Sequence, residues 1–291
     1  TTRLPGPLAA LLAYVLWGIL PISWKLMQAI PAAAILAYRI IFALVFVALL
    51  LVLLRRLGEV RVLFAKPRKL LLVAGAALLI CFNWGLYIWA VNAGMVVECA
   101  LGYYINPLVS VGLGMIFFGE RLNRWQFGAL ALALVGVLVI GFEYARLPFV
   151  ALGLAFSFGF YVLIKKLIGV NALVSLGMET LFSLPVAAVC LALVGAGAAD
   201  PGTIGAWGWL LVALAGPVTA VPLFGHAAGK IPLSMIGFIQ YVSPSISLVL
   251  GIFVFREPFT LVQLASFACI WAALVLFSVD QWRASRVRAI V

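Results

Sequence analysis

Uninterrupted apolar runs of about twenty residues, separated by short polar turns, govern what this chain can become. Runs of that length cross about 30 Å of hydrocarbon as helices. They can be placed at roughly 7–27, 33–54, 70–92, 97–118, 125–142, 148–165, 172–194, 206–226, 233–254 and 261–280, each boundary soft by a few residues. They are too continuous to be the alternating strands of a barrel, and in lipid an open chain satisfies its backbone only as helix. Composition agrees: the chain is 67% hydrophobic and 9% charged, against roughly a quarter charged for a soluble domain. The expected fold class is therefore an all-α integral membrane protein with ten transmembrane helices. The first run is too long for a signal h-region and contains Trp17-Gly18 and Pro21, so it is read as a span.

A repeat runs through this pattern. Tyr104, Pro107, Ser110, Leu113, Gly114, Phe118, Glu120, Gln126 and Ala131 recur, at a constant offset, as Tyr241, Pro244, Ser247, Leu250, Gly251, Phe255, Glu257, Gln263 and Ala268. A weaker echo sets Trp17-Gly18 and Lys25 against Phe158-Gly159 and Lys166. Each copy reads as a proline-bearing apolar helix, a charged turn at glutamate, and a second apolar helix. An odd number of spans separates the copies, so they enter the bilayer from opposite sides. Two inverted five-helix repeats follow, 1–143 and 148–281, with 282–291 as a short basic cytoplasmic tail suited to anionic headgroups. No soluble domain is expected.

Charge sets the orientation. Placing the N-terminus inside puts Arg3, Arg55, Arg56, Arg61, Lys66, Arg68, Lys69, Arg121, Arg124, Lys165, Lys166, Lys230, Arg283, Arg286 and Arg288 on the cytoplasmic side. Only Arg146 and Arg256 fall outside, while Lys25 and Arg39 lie within spans. That asymmetry predicts a multi-pass membrane protein with an even number of spans and both termini cytoplasmic. The net charge of +11 is thus orientation rather than a nucleic-acid footprint, since no basic stripe or base-reading motif accompanies it. The four cysteines sit inside apolar runs without metal or disulfide spacing.

Polar residues within spans are the candidate site. Arg39 stands about seven positions, roughly 10 Å, into the second span. It lines a substrate cavity, pairs with Glu98 at similar depth, or snorkels outward. Lys25 competes as a partner for Glu98, and neighbouring Trp24 points some 100° away as an interface anchor. In the third span Asn83 and Tyr87 share a face, either to hydrogen-bond a solute or to tie helices together. Tyr103, Tyr104 and Asn106 beside Pro107 match Gln240, Tyr241 and Ser243 beside Pro244. A proline frees a carbonyl one turn earlier, so Pro107 and Pro244 are hinge candidates with polar side chains next to the bend. Glu179 and the single histidine, His226, are proton-coupling candidates, with structural hydrogen bonding as the alternative for the glutamate. Glu120 and Glu257 end the duplicated helices and read as salt-bridge partners of Arg121, Arg124 or Arg256. No cofactor or metal is expected.

Together WGILPISWK at 17–25, FNWGLYIWAVN at 82–92, LGYYINPLVSVGLGMIFFGERL at 101–122, ALGLAFSFGFY at 151–161 and GFIQYVSPSISLVLGIFVF at 237–255 resemble the RarD-type permeases. These are the EamA-domain branch of the drug/metabolite transporter superfamily. The resemblance covers nearly the whole chain. It implies ten helices in two inverted repeats and export or exchange of small organic metabolites, amino acids and similar compounds among them. RarD-type proteins have been associated with chloramphenicol sensitivity. Arg256 replaces Gly119 at the turn before the glutamate, so the two turns need not share a backbone conformation.

The expected function is alternating-access transport of a small organic solute, with protons as the candidate coupling ion. Expected partners are the solute and membrane lipids, no nucleic acid, and at most a weak dimer. The alternatives are an intramembrane enzyme or a channel or membrane scaffold. The chain lacks H-E-x-x-H, G-x-S-x-G and a P-loop, which argues against an enzyme, including an ATPase. A channel would call for a symmetric filter or pore-lining ring.

Overall fold

A computed structural model describes residues 5–119, 123–143, 148–195, 201–214, 223 and 239–288. Among the described residues every regular element is helical. In chain order these are α1 (Gly6–Leu26), α2 (Ala32–Leu53), α3 (Leu57–Phe64), α4 (Pro67–Asn92), α5 (Val96–Phe118), α6 (Arg124–Glu143), α7 (Phe149–Ile168), α8 (Ala172–Phe182), α9 (Leu184–Val194), α10 (Pro201–Leu214), α11 (Val242–Val249) and α12 (Leu261–Arg288). A five-residue π-helix, Leu250–Val254, continues α11.

Among the described residues seven segments are long and apolar enough to cross a membrane: Gly6–Leu26, Ala32–Leu53, Pro67–Asn92, Val96–Phe117, Phe149–Ile168, Leu173–Val194 and Leu261–Asp280. Arg124–Ile140 and Val242–Val254 are shorter apolar helices. All nine overlap expected spans, although Val242–Val254 matches only the second half of 233–254, whose residues before 239 lie outside the described residues. The remaining expected span, 206–226, is described only through Leu214, within α10. Residues such as Phe142 (84% exposed), Leu193 (79%) and Leu71 (75%) would be anomalous in water. They are ordinary on a face that meets lipid.

Three departures from the expected helices have local causes. The seventh span breaks at Ser183 into α8 and α9, where Pro185 lies in the first turn of α9 and supplies no N–H. The 55–69 loop contains α3, which carries Glu59 and Arg61. The basic segment after 281 continues α12 through Arg288.

The contacts divide the chain into two compact units. The first collects Thr1–Ile19, Gly94–Phe156 and Leu223–Val291, the second Leu20–Ala93 and Ser157–Pro222. Neither unit is one of the sequential halves, since each draws on both.

In the first unit α5 packs against α11, and α6 against α12. Val97, Leu101, Tyr104, Ile140, Phe267 and Ile270 form its core. The α6–α12 crossing is close: a Cβ added at Gly136 would lie 2.9 Å from the carbonyl oxygen of Ser266. The Ser266 hydroxyl donates back to the Gly136 carbonyl at 2.6 Å. Small residues are what let helix backbones approach where lipid gives no hydrophobic drive to association.

Two turns of this unit repeat each other in detail. Asn123 accepts from the backbone N–H of Trp125 and Gln126, both at 2.9 Å, while Gln126 Oε1 accepts from Asn123 N at 3.4 Å. At the corresponding place Thr260 Oγ1 accepts from Gln263 N at 3.1 Å, and Gln263 Oε1 accepts from Thr260 N at 2.8 Å. These are matching capping boxes at the starts of α6 and α12. The preceding turns match too: Gly119 has φ 63° and Arg256 has φ 54°. Contrary to the latitude the substitution allows, both copies adopt the left-handed turn, and the arginine bears its steric cost.

In the second unit α2 packs against α8, α9 and α4. Val47, Leu51, Val73, Ile168, Val174 and Met178 make its core.

Candidate functional site

Three clusters of polar or aromatic side chains stand out in the two units, two of them buried and one beside an open cavity. In the first unit α5 presents Tyr104 and the segment entering α11 presents Tyr241. Their rings stack with centroids 6.2 Å apart and planes inclined by 14°. Ser245, one turn into α11, joins them. Its hydroxyl donates to the Tyr241 carbonyl at 2.7 Å, so the 2.5 Å contact with Tyr104 is made by the phenol donating to the serine oxygen. Trp271 of α12 meets the Tyr104 ring edge-on at 6.3 Å. These residues, with Leu248, Val249, Leu274, Val275, Ser278 and Val279, line a cavity of about 650 Å³. Aromatic walls with few polar groups are the usual makeup of a small-molecule site.

A second cluster surrounds Arg39 in the second unit. Its guanidinium carbon lies 4.2 Å from the centroid of the Trp84 ring and 5.5 Å from that of Trp24. Arg39 is 7% exposed and Trp24 fully buried. Indole faces stabilise a cation through their quadrupole, more so once water is removed. Trp24 therefore belongs to the interior beside Arg39 and is not the interface anchor that its helical angle suggested.

The third cluster centres on Glu179 of α8, 1% exposed. Its Oε1 accepts from Lys165 Nζ at 2.6 Å and from Ser175 Oγ at 2.5 Å, and its Oε2 accepts from the Tyr161 hydroxyl at 2.8 Å. A buried carboxylate is stable only when paired and hydrogen-bonded in this way. Tyr161 and Lys165 stand four residues apart on α7, a same-face spacing that the sequence displayed and that points at a common partner.

The remaining candidates fall elsewhere. Asn83 donates from Nδ2 to Ser157 Oγ at 2.9 Å and ties α4 to α7, while Tyr87 is buried further along α4. Glu98 and Glu257 hold helix N-termini in the first unit. Glu98 accepts from Val150 N at 3.1 Å, at the start of α7. Glu257 accepts from Val96 N and Val97 N, both at 2.8 Å, at the start of α5. Helix capping is thus a role for these carboxylates that the turn sequence did not reveal. Asn106 is buried, whereas Tyr103, Gln240 and Ser243 are half-buried. Pro244 is buried in the first turn of α11. Pro107 sits within α5, its side chain outside the described residues. His226 also lies outside them. Ser245, Trp271 and Lys165 were not foreseen, because nothing in the local pattern shows which distant helix they meet.

The chain is similar to known proteins along most of its length. The EamA-like transporter family matches over residues 4–142. An uncharacterized transporter of Bacillus subtilis (strain 168), YojE, is 44% identical, over 95% of this chain and 94% of its own. Protein RarD of Escherichia coli (strain K12) is 42% identical over 94% of both chains. A more distant relative from Pseudomonas aeruginosa, called chloramphenicol-sensitive protein RarD, is 32% identical over 98% of this chain and 97% of its own. A chain of known crystal structure matches with a TM-score of 0.60 at 20% identity, over 96% of this chain and 98% of that one, which shows a shared fold. With relatives this similar along almost its entire length, the protein is a multi-pass membrane transporter that belongs to the EamA-like family, in its RarD-type branch.

Proposed function

We propose that the chain is an alternating-access exporter or exchanger of small organic metabolites, amino acids or related compounds among them. Its ten spans form two inverted repeats, 1–143 and 148–281, in a bacterial inner membrane with both termini cytoplasmic. The observation that carries this reading is the stack of Tyr104 on Tyr241. These two residues are equivalents under the sequence repeat, and a residue meets its own equivalent only near a two-fold axis. The packing of α5 on α11 and α6 on α12, each again a pair of equivalents, supports the same axis. An aromatic cavity beside that axis is where a solute would be held while the repeats exchange roles. The carboxylate of Glu179, within reach of lysine, serine and tyrosine donors, is the proposed proton-coupling group.

Counterflow in proteoliposomes, with a panel of labelled amino acids and aromatic metabolites and with or without a pH gradient, tests the reading. Saturable exchange of at least one solute is expected. Replacing Tyr104 with Phe should weaken that exchange several-fold, because the phenol that contacts Ser245 beside the cavity is lost. Folded protein that moves none of the panel would defeat the proposal. Cysteines placed at Ala65 and Gly195 should label from opposite sides of oriented vesicles, and labelling from one side would break the inverted topology.

A further inference from the structure

We infer that residues 55–69, with α3 at their centre, form a docking surface for the headgroups of anionic phospholipids. The inference is independent of which solute the protein carries. The segment joins two spans, Ala32–Leu53 and Pro67–Asn92, so it begins and ends where hydrocarbon gives way to headgroups. It holds six basic residues, Arg55, Arg56, Arg61, Lys66, Arg68 and Lys69, against one acid, Glu59. Little of that charge is neutralised within the unit. Arg56 meets Glu59 at 3.7 Å, and both side chains are open to the surface, which makes the pair a weak one. Lys69 Nζ donates to the Ile168 carbonyl at 2.5 Å, tying the segment to the end of α7. Arg55, Arg61, Lys66 and Arg68 are exposed, and no salt bridge reaches them among the described residues.

The second observation is the surface of α3. Leu57, Arg61 and Phe64 stand at i, i+4 and i+7, so they share one flank of the helix. Leu57 is 45% and Phe64 50% exposed, whereas Leu63 is buried in the core that includes Leu51 and Val73. A cation between two exposed apolar side chains is the makeup of a helix that lies in the membrane interface. The apolar groups enter the boundary of the acyl chains while the long basic side chain reaches up to the phosphates. Val52, Leu53 and Leu54, all exposed at the end of α2, continue that apolar surface up to Arg55.

The third observation is the backbone of Arg55. Arg56 N donates to the Leu51 carbonyl at 2.8 Å and Arg55 N to the Val52 carbonyl at 3.0 Å, the two bonds of a Schellman motif. Arg55 has φ 54°, at the position that glycine usually fills. An arginine there keeps a cation at the edge of the span, at a conformational cost that glycine would not bear. Headgroup phosphates supply what this surface lacks: negative charge at the depth of the cations, on molecules whose chains Leu57 and Phe64 can meet. Attraction to an anionic membrane surface amounts to about fivefold in binding per cation.

Thermal unfolding of the full chain in a neutral detergent supplies the test, with phosphatidylglycerol, phosphatidylcholine or glycerol 3-phosphate added. Phosphatidylglycerol should stabilise the protein saturably, and less so at high salt. Phosphatidylcholine lacks the net charge and glycerol 3-phosphate lacks the chains, so neither should replace it. Arg55→Gln, Arg61→Gln and Arg68→Gln together should weaken the phosphatidylglycerol effect about a hundredfold, and lysine at the same three positions should retain it. Arg55→Gly should raise the unfolding temperature without lipid and yet weaken the lipid response about fivefold. Those opposite movements separate a charge that meets lipid from a residue that merely shapes the turn.

Equal stabilisation by phosphatidylcholine would overturn the inference, and so would equal stabilisation by glycerol 3-phosphate, which would make the surface one for free phosphate. A lipid response unchanged in the glutamine variant would do the same. The lysine variant and Arg55→Gly carry the test even where the glutamine variant fails to fold. Loss of the response in the lysine variant, or an Arg55→Gly protein that responds like the parent, would also defeat it.

Discussion

The two units solve the problem of polar groups in lipid in opposite ways. The first unit spends its carboxylates at helix ends: Glu257 and Glu98 take backbone N–H groups that begin α5 and α7, where the helix dipole is positive. Among its described residues no charged side chain is buried, and its aromatic stack is joined by a hydroxyl relay through Ser245. The second unit buries charge along its helices, with Arg39 between indoles and Glu179 beneath Lys165. Charge placed there is costly in hydrocarbon and persists only with specific partners. The neutral unit adds capping to its close packing, and the charged unit adds to its apolar core a few buried interactions whose loss cannot be compensated by solvent.

That contrast predicts unequal responses to mutation. The largest belongs to the second unit. Lys165→Met removes the cation that pairs with the buried Glu179, and should cost about 3–5 kcal/mol of stability. A partner change, Lys165→Met with Glu179→Gln, should recover much of it, because two neutral groups replace an unmatched charge. Thermal unfolding of the two single variants and the double variant measures this. Additive losses would mean that the pair is not a coupled unit.

An intermediate effect is expected in the first unit. Gly136→Ala inserts a methyl 2.9 Å from the Ser266 carbonyl, so α6 and α12 must separate. About 1–3 kcal/mol should be lost through overpacking. A loss as large as that of Lys165→Met would erase the distinction between the units. The smallest effect has the opposite sign. Arg256 holds φ 54°, as Gly119 does at φ 63° in the matching turn. Arg256→Gly should stabilise the protein by about 1 kcal/mol, the strain of a left-handed non-glycine residue. Gly119→Ala should destabilise it by a similar amount, and chemical denaturation of both resolves the difference.

Much of this was written in the chain order. Nine of the expected spans appear as helices because an apolar run in lipid has no other way to satisfy its backbone. The repeat marked in advance which residues would be equivalent, down to Gln126 and Gln263, which close the same capping box. The polar candidates were legible as residues out of place, since a charge within a span stands out against its neighbours. Their partners were not. Helical periodicity sets the face on which Arg39, Tyr104 or Glu179 projects, but the helix that meets that face is chosen by packing between distant segments.

Sequence alone therefore determined the helical class, the duplication and the list of costly groups, because each follows from local transfer energies and spacing. Only the tertiary structure decided that Arg39 lies between two indoles, that Tyr104 meets its own equivalent, and that Glu257 caps α5 rather than serving only as a loop charge. It also decided that each compact unit draws on both sequential halves of the chain. Those outcomes depend on which helix surfaces fit together at close range, a property of side-chain shape in three dimensions that the order of residues does not display.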